Sequence, residues 1–162
     1  MPISDSKIIP RQGILNIPKY ISGKSGLGRL DNPIKLSANE NPYGPSKKAI
    51  EVYKQSQHNL GVYPESNHEA LRSAIADVMG IREKRIICGA GSDELINFLC
   101  QCYAGEGDEV IHTAHGFAMY RISALTVGAT PIAIPENNRH ADIPRIIEAC
   151  NERTKIIFLA NP

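Results

Sequence analysis

The chain contains no apolar run approaching the roughly 18 residues that a membrane-spanning helix needs. Its opening residues, MPISDSKIIPRQGIL, lack the apolar core of a signal peptide. No membrane partner is expected, and the cytoplasm is the expected compartment. Long runs of like charge are also missing, and the formal net charge is only +1. Nucleic acid and acidic lipid surfaces, which need a concentrated positive field, are therefore not expected as partners. The four cysteines, Cys88, Cys100, Cys102 and Cys150, have no zinc or redox spacing. None of the five histidines pairs with a cysteine or another histidine at a ligand spacing, so no metal site is expected. Cys88 sits in a strand-like apolar run, while Cys100 and Cys150 fall on apolar helix positions, all three reading as core filler.

What is present reads as alternating elements. Residues 1–45 are rich in proline and glycine without a sustained period, the pattern of an irregular arm. From residue 46 to 162 the pattern is regular. Ser46 is placed to cap a helix over about 47–57, and Asn67 to cap a second that carries Leu71, Ile75 and Val78 and ends at Gly80. Arg85-Ile86-Ile87-Cys88 reads as a short buried strand. Ser92 or Asp93 opens a helix lined by Leu95, Ile96, Leu99 and Tyr103. Further strands are expected at Val110–His112 and Pro131–Ile134, with a helix over about 118–127 between them. Ile143, Ile146, Ile147 and Cys150 share one helical face, and Lys155–Ala160 is the most apolar strand. Strands alternating with helices imply an α/β fold with a mostly parallel sheet. The sequence stops at Asn161-Pro162, straight after that strand, where a ligand-binding loop is expected. It reads as cut short.

Cys88-Gly89-Ala90-Gly91-Ser92-Asp93-Glu94 joins a strand-like run to a helix. Glycines let the backbone approach an anion, and a helix N-terminus presents free N–H groups and partial positive charge. On local physics alone, a phosphate site and a plain turn both fit. Two other phosphate motifs fail on spacing. The dinucleotide fingerprint needs a third glycine where Glu94 stands, and an acid after the next strand, where His112-Thr113-Ala114 occurs. The nucleotide P-loop needs Gly-Lys-Ser/Thr, which is absent.

Five segments in order carry a resemblance. They are Leu36-Ser37-Ala38-Asn39-Glu40-Asn41-Pro42-Tyr43-Gly44-Pro45, Tyr63-Pro64-Glu65, Gly91-Ser92-Asp93-Glu94, His115-Gly116-Phe117-Ala118-Met119-Tyr120, and the closing strand into Asn161-Pro162. Together they resemble the histidinol-phosphate aminotransferase family within the fold-type I pyridoxal-phosphate enzymes. The resemblance implies the large domain of that fold, with helices on both faces of the sheet, truncated. Residues 1–45 would be an arm with a substrate-facing segment, and residues 46–162 the first part of the cofactor-binding domain.

The resemblance also implies pyridoxal phosphate as cofactor and transamination of histidinol phosphate in histidine biosynthesis, with 2-oxoglutarate/glutamate as the other pair. A related aminotransferase, a threonine-phosphate decarboxylase or a non-catalytic fragment are the alternatives. By resemblance, Gly91, Ser92 and Asp93 hold the cofactor phosphate, and Phe117 stacks on its ring. Tyr63 reaches the phosphate of a neighbouring subunit, implying a homodimer. Asn39, Glu40 and Tyr20 face the small amino substrate. Bland readings stand beside these, with Phe117 as core, Tyr63 as a turn aromatic, and Asn39 and Glu40 as local ordering groups. His112 and His115 read as structural or supporting residues.

Transamination needs a lysine that holds the cofactor covalently and moves a proton. No lysine here has a suitable context, since Lys47, Lys48 and Lys54 lie on a polar helix face and Lys155 begins a strand. No catalytic residue is therefore assigned, and these 162 residues alone are expected to be inactive.

Overall fold

The computed structural model describes residues 9–20 and 38–160. Leu36 and Ser37 of the first resembling segment, and Asn161-Pro162 of the last, lie outside the described residues. Two compact units make up the chain, Met1–Lys19 with Cys88–Pro162, and Tyr20–Ile87.

The first unit opens with a single helical turn, α1 (Gln12–Leu15). Within the second unit lie α2 (Lys47–Ser56) and α3 (Glu69–Met79). The first unit then continues with α4 (Ser92–Tyr103), β1 (Glu109–Thr113), α5 (Ala118–Val127), β2 (Thr130–Ile134), α6 (Ile143–Ala149) and β3 (Thr154–Phe158). The three strands are parallel in the order β2-β1-β3.

Strand geometry explains how this sheet fills. Successive side chains of β1 point to opposite faces. Val110 faces one cluster with Ile96, Cys100, Ala124 and Phe158, under α4 and α5. Ile111 faces the other, with Ile134 of β2 and Ile146 of α6. Helices thus cover both faces, and β1 is buried along its whole length. Burial pushes the Cys100 thiol up to about 11. At the amino end of β1, the buried Glu109 carboxylate accepts from Asn151 Nδ2 at 2.7 Å and from Arg153 Nε at 2.8 Å. These bonds, Asn151 foremost, hold its pKa below the ordinary carboxylate value. They sit beside a register shift in the β1–β3 ladder, between Glu109 and Val110.

Several local expectations meet the structure differently. Ser46 caps α2 by accepting from the Ala49 N–H at 3.1 Å, and Gly80, at φ +65°, ends α3. Asn67, however, is not the cap of α3. The Glu65 carboxylate takes that part, accepting from the N–H groups of Glu69 (2.9 Å) and Asn67 (2.6 Å), which lower its pKa. Arg85–Cys88 forms no strand. Glu83–Arg85 is a short 3₁₀ turn, and Ile87 is 79% exposed. A strand exists only in a ladder, and no described strand pairs with this run. Cys150 is exposed because α6 stops at Ala149, leaving it as an extended cap; of the expected face only Ile146 is buried, with Ile147 67% exposed.

The N-terminal segment of the first unit makes a contact that composition did not reveal. Arg11 Nη2 donates to the Thr126 carbonyl at the C-terminal end of α5. A Cβ on Gly13 would lie 2.2 Å from the Leu125 carbonyl oxygen, so only glycine allows this approach. Helix C-termini leave carbonyls without intrahelical donors, and α1 docks on such an end.

Candidate functional site

The strand order carries the first clue to a site. The chain moves from β1 to β2 on one side, then crosses to β3 on the other. In open α/β sheets such a reversal leaves a crevice beyond the carboxyl ends of the strands, where ligands bind.

Of the helices that begin at that end, two carry the predicted residues. α5 follows β1 after the turn 114–117. α4 packs along α5 and β3, and residues 104–108 link its last turn to the start of β1. Its 12 residues cover roughly 18 Å, close to the roughly 17 Å of a five-residue strand. The first turn of α4 therefore lies toward the carboxyl edge of the sheet.

The residues predicted for the phosphate stand at that first turn. Gly91 is the cap residue of α4, at φ +84°, a conformation that favours glycine. No atom lies within 4 Å of where its Cβ would stand, so the backbone there is open to approach. Neither Ser92 nor Asp93 caps the helix through its side chain, and both are its first residues. As in any α-helix, the N–H groups of Ser92, Asp93 and Glu94 lack an intrahelical acceptor. The Gly91 N–H is committed, donating to the Gly89 carbonyl at 2.8 Å. Gly91 thus supplies room, and the residues after it supply donors. An anion is the group such a terminus attracts.

Phe117 precedes the first turn of α5 and is 40% exposed. Its ring lies perpendicular to Tyr120, at 6.0 Å and 88°, and Tyr120 stacks on Phe158 of β3 at 4.7 Å and 7°. Phe117 is therefore anchored on Tyr120 while part of it remains open. The turn leading into it is tight, since a Cβ on Gly116 would lie 2.9 Å from both the carbonyl and the Oγ1 of Thr113.

The same end of the sheet carries a link that the sequence did not reveal. His115 donates its backbone N–H to Glu136 Oε1 at 2.8 Å, and its ring Nδ1 lies 2.7 Å from Glu136 Oε2. These bonds, the ring contact foremost, pull the Glu136 pKa to about 2. They tie the loop after β1 to the loop after β2. Beside them opens a cleft of about 530 Å³, bordered by Thr113, Gly116, Arg139 and Ala160. All of these follow or end a strand. A signal was available in the sequence, since Glu136 directly follows the strand-ending Pro135, but it names no partner.

The remaining sequence-predicted residues belong to the Tyr20–Ile87 unit. Tyr63 is 98% exposed and Tyr20 is 56% exposed. Asn39 and Glu40 are also exposed. Directly after them, Asn41 shapes a turn by accepting from the Tyr43 N–H at 3.0 Å and donating to the Gly44 carbonyl at 3.1 Å. Among the described residues, no helix is long and apolar enough to cross a membrane.

Comparison with known proteins places the chain in a family. The chain is 54% identical over 157 residues to the histidinol-phosphate aminotransferase of Dinoroseobacter shibae, covering 97% of this chain and 44% of that protein. It is 49% identical to the enzyme of the same name from Paracoccus denitrificans, over 100% of this chain and 44% of that one. It thus spans about 44% of the length of these curated relatives. Among solved structures it is similar to a histidinol-phosphate aminotransferase from Sinorhizobium meliloti in complex with pyridoxal-5'-phosphate. That match has a TM-score of 0.67 at 20% identity, over 69% of this chain and 30% of that one. The Clostridium acetobutylicum histidinol-phosphate aminotransferase matches with a TM-score of 0.59 at 25% identity, over 69% and 33%. The family model of aminotransferase class I and II matches residues 31–162, and the chain belongs to that family.

Proposed function

We propose that the protein carries out pyridoxal-phosphate-dependent transamination of histidinol phosphate in histidine biosynthesis. The observation that carries this reading is identity of 54% along 97% of the chain to a protein of that name. A relative that shared only the fold would not be expected to keep so many side chains across both units.

The residues present fit the cofactor. Its phosphate is an anion, and the first turn of α4 offers unpaired N–H groups beside an open Gly91. Its ring is flat and aromatic, and Phe117 offers a partly open ring held from behind by Tyr120. In this reading Ser92 and Asp93 donate to the phosphate, Gly91 gives it room, and Phe117 stacks on the ring. When bound, the cofactor supplies an electron sink for cleavage at the substrate's α-carbon. The His115–Glu136 link fixes the loop from which Phe117 projects.

Tyr63, nearly fully exposed, would reach the phosphate of a neighbouring subunit in a homodimer. Asn39, Glu40 and Tyr20 would contact the amino substrate. Residues 1–45 would form the substrate-facing arm, and residues 46–162 the first part of the cofactor-binding domain. The amino group would pass between histidinol phosphate and the 2-oxoglutarate/glutamate pair, in the cytoplasm. The lysine that transamination requires is not assigned to any of these 162 residues.

The test is amino transfer from histidinol phosphate to 2-oxoglutarate by the protein expressed from its complete open reading frame. Turnover with this donor, and much slower turnover with aromatic amino acids, is the expected result. Absence of turnover with histidinol phosphate in a cofactor-loaded protein would overturn the substrate assignment. Aromatic pairs contribute about 0.5–1.5 kcal/mol beyond area burial, so Phe117→Ala should weaken cofactor binding several-fold. An unchanged Kd in a folded variant would remove the stacking role.

A further inference from the structure

The turn that leads into α4 is held by an acidic side chain. The Ala90 N–H donates to Glu94 Oε2 at 2.7 Å. Glu94, the third residue of α4, thus reaches back past the cap residue Gly91 to the N–H before it, one residue further than the third-residue side chain of a capping box reaches. The same oxygen fills the space beside Gly89, where a Cβ would stand 2.8 Å from it and 3.1 Å from Leu95 Cδ2. Gly91 then turns its N–H onto the Gly89 carbonyl. The Ala90 and Gly91 donors are therefore engaged inside the turn.

A carboxylate is an odd choice on electrostatic grounds. One turn from a bound phosphate its charge repels the anion, although the helix dipole favours it. The position is explained if it needs the acceptor geometry and not the charge. We propose that Glu94 is a positioning residue. By taking the Ala90 N–H it fixes the Gly89–Gly91 turn and so aims the next free amides, those of Ser92 and Asp93, at the cofactor phosphate. This inference rests on the cofactor reading above.

Two substitutions separate acceptor geometry from charge. Glu94→Gln keeps an acceptor oxygen and loses the charge, whereas Glu94→Ala loses both. The protein from the complete reading frame is titrated with pyridoxal phosphate and with pyridoxal, which lacks the phosphate. Losing one positioned hydrogen bond is expected to weaken pyridoxal phosphate binding by about tenfold in Glu94→Ala. Binding of pyridoxal should change by less than about twofold, and Glu94→Gln should stay within about threefold of the parent for both ligands. Gly89→Ala, which drives a Cβ against the Glu94 carboxylate, should reproduce the Glu94→Ala pattern and serves in its place if that variant does not fold. Equal loss in the Gln and Ala variants, or undiminished preference for the phosphorylated ligand in folded Glu94→Ala or Gly89→Ala, overturns the positioning role. If the parent protein itself binds pyridoxal as tightly as pyridoxal phosphate, the phosphate cradle fails, a result distinct from either of these.

Discussion

Between the two units, the apolar side chains are treated very differently. In the unit of Met1–Lys19 and Cys88–Pro162, β1 is buried end to end, and two apolar clusters flank it. In Tyr20–Ile87 no described residue is buried, although α2 and α3 have well-formed ends. Leu71 is 51% exposed and Val78 84% exposed on an amphipathic helix. A helical stripe and good caps are local properties, while a core needs a second surface to meet the first. The sheet unit supplies that surface through parallel pairing. Within Tyr20–Ile87 Ser46 and Glu65 hold helix starts by local hydrogen bonds, and Arg72 of α3 donates to the Glu83 carbonyl at 3.1 Å.

The largest expected effect tests this difference directly. Ile111 is fully buried between strands and helix, so Ile111→Ala should destabilise the first unit by about 2–5 kcal/mol. Val78→Ala, at an exposed position, should change stability by no more than about 0.5 kcal/mol. Denaturant unfolding of both variants measures this, and comparable losses would erase the contrast between the units.

A smaller effect is expected where the arm meets α5. Gly13→Ala places a Cβ 2.2 Å from the Leu125 carbonyl oxygen if nothing moves. Overpacking of this kind costs about 1–3 kcal/mol, and displacement of α1 is the easier relief. The variant should be cut near residues 10–17 much faster by a nonspecific protease while the sheet persists. Unchanged cleavage would show that the arm does not depend on this contact.

The smallest effect concerns pH. Glu136 has its pKa lowered to about 2 in the folded unit, against about 4.3 for an unperturbed glutamate. Its contribution to stability is therefore fully present above about pH 4.3 and is lost as pH falls through about 2. A side-chain carboxyl titration by NMR should find Glu136 titrating in strong acid, and His115→Ala should move the midpoint upward. A midpoint indifferent to that substitution would mean that His115 does not hold the carboxylate.

Features with a local determinant are legible in the sequence. The helix over Ile143–Ala149, the cap at Ser46, the stop at Gly80 and the strand runs of β1, β2 and β3 all appear near their expected places, though only Ile146 of that helix's apolar face is buried. The order of five short segments sufficed to indicate the family. The errors fell where one residue's role depends on a neighbour in space. Arg85–Cys88 has strand-like composition but no ladder partner. Asn67 is a good cap residue by type, but Glu65 reaches the orphan N–H groups first.

The same division runs through the site. Sequence alone determined the glycine-bearing turn into α4 and the aromatic at the head of α5, because both follow from backbone freedom and residue type. That the Gly91 N–H turns inward onto Gly89, two residues back, is settled within the turn itself. Only the tertiary structure decided that His115 finds Glu136 across the sheet's carboxyl end and that Gly13 presses on α5. Those pairings join residues distant along the chain. Their geometry is set by the parallel register of the strands and the packing of helices on them, which no local pattern encodes.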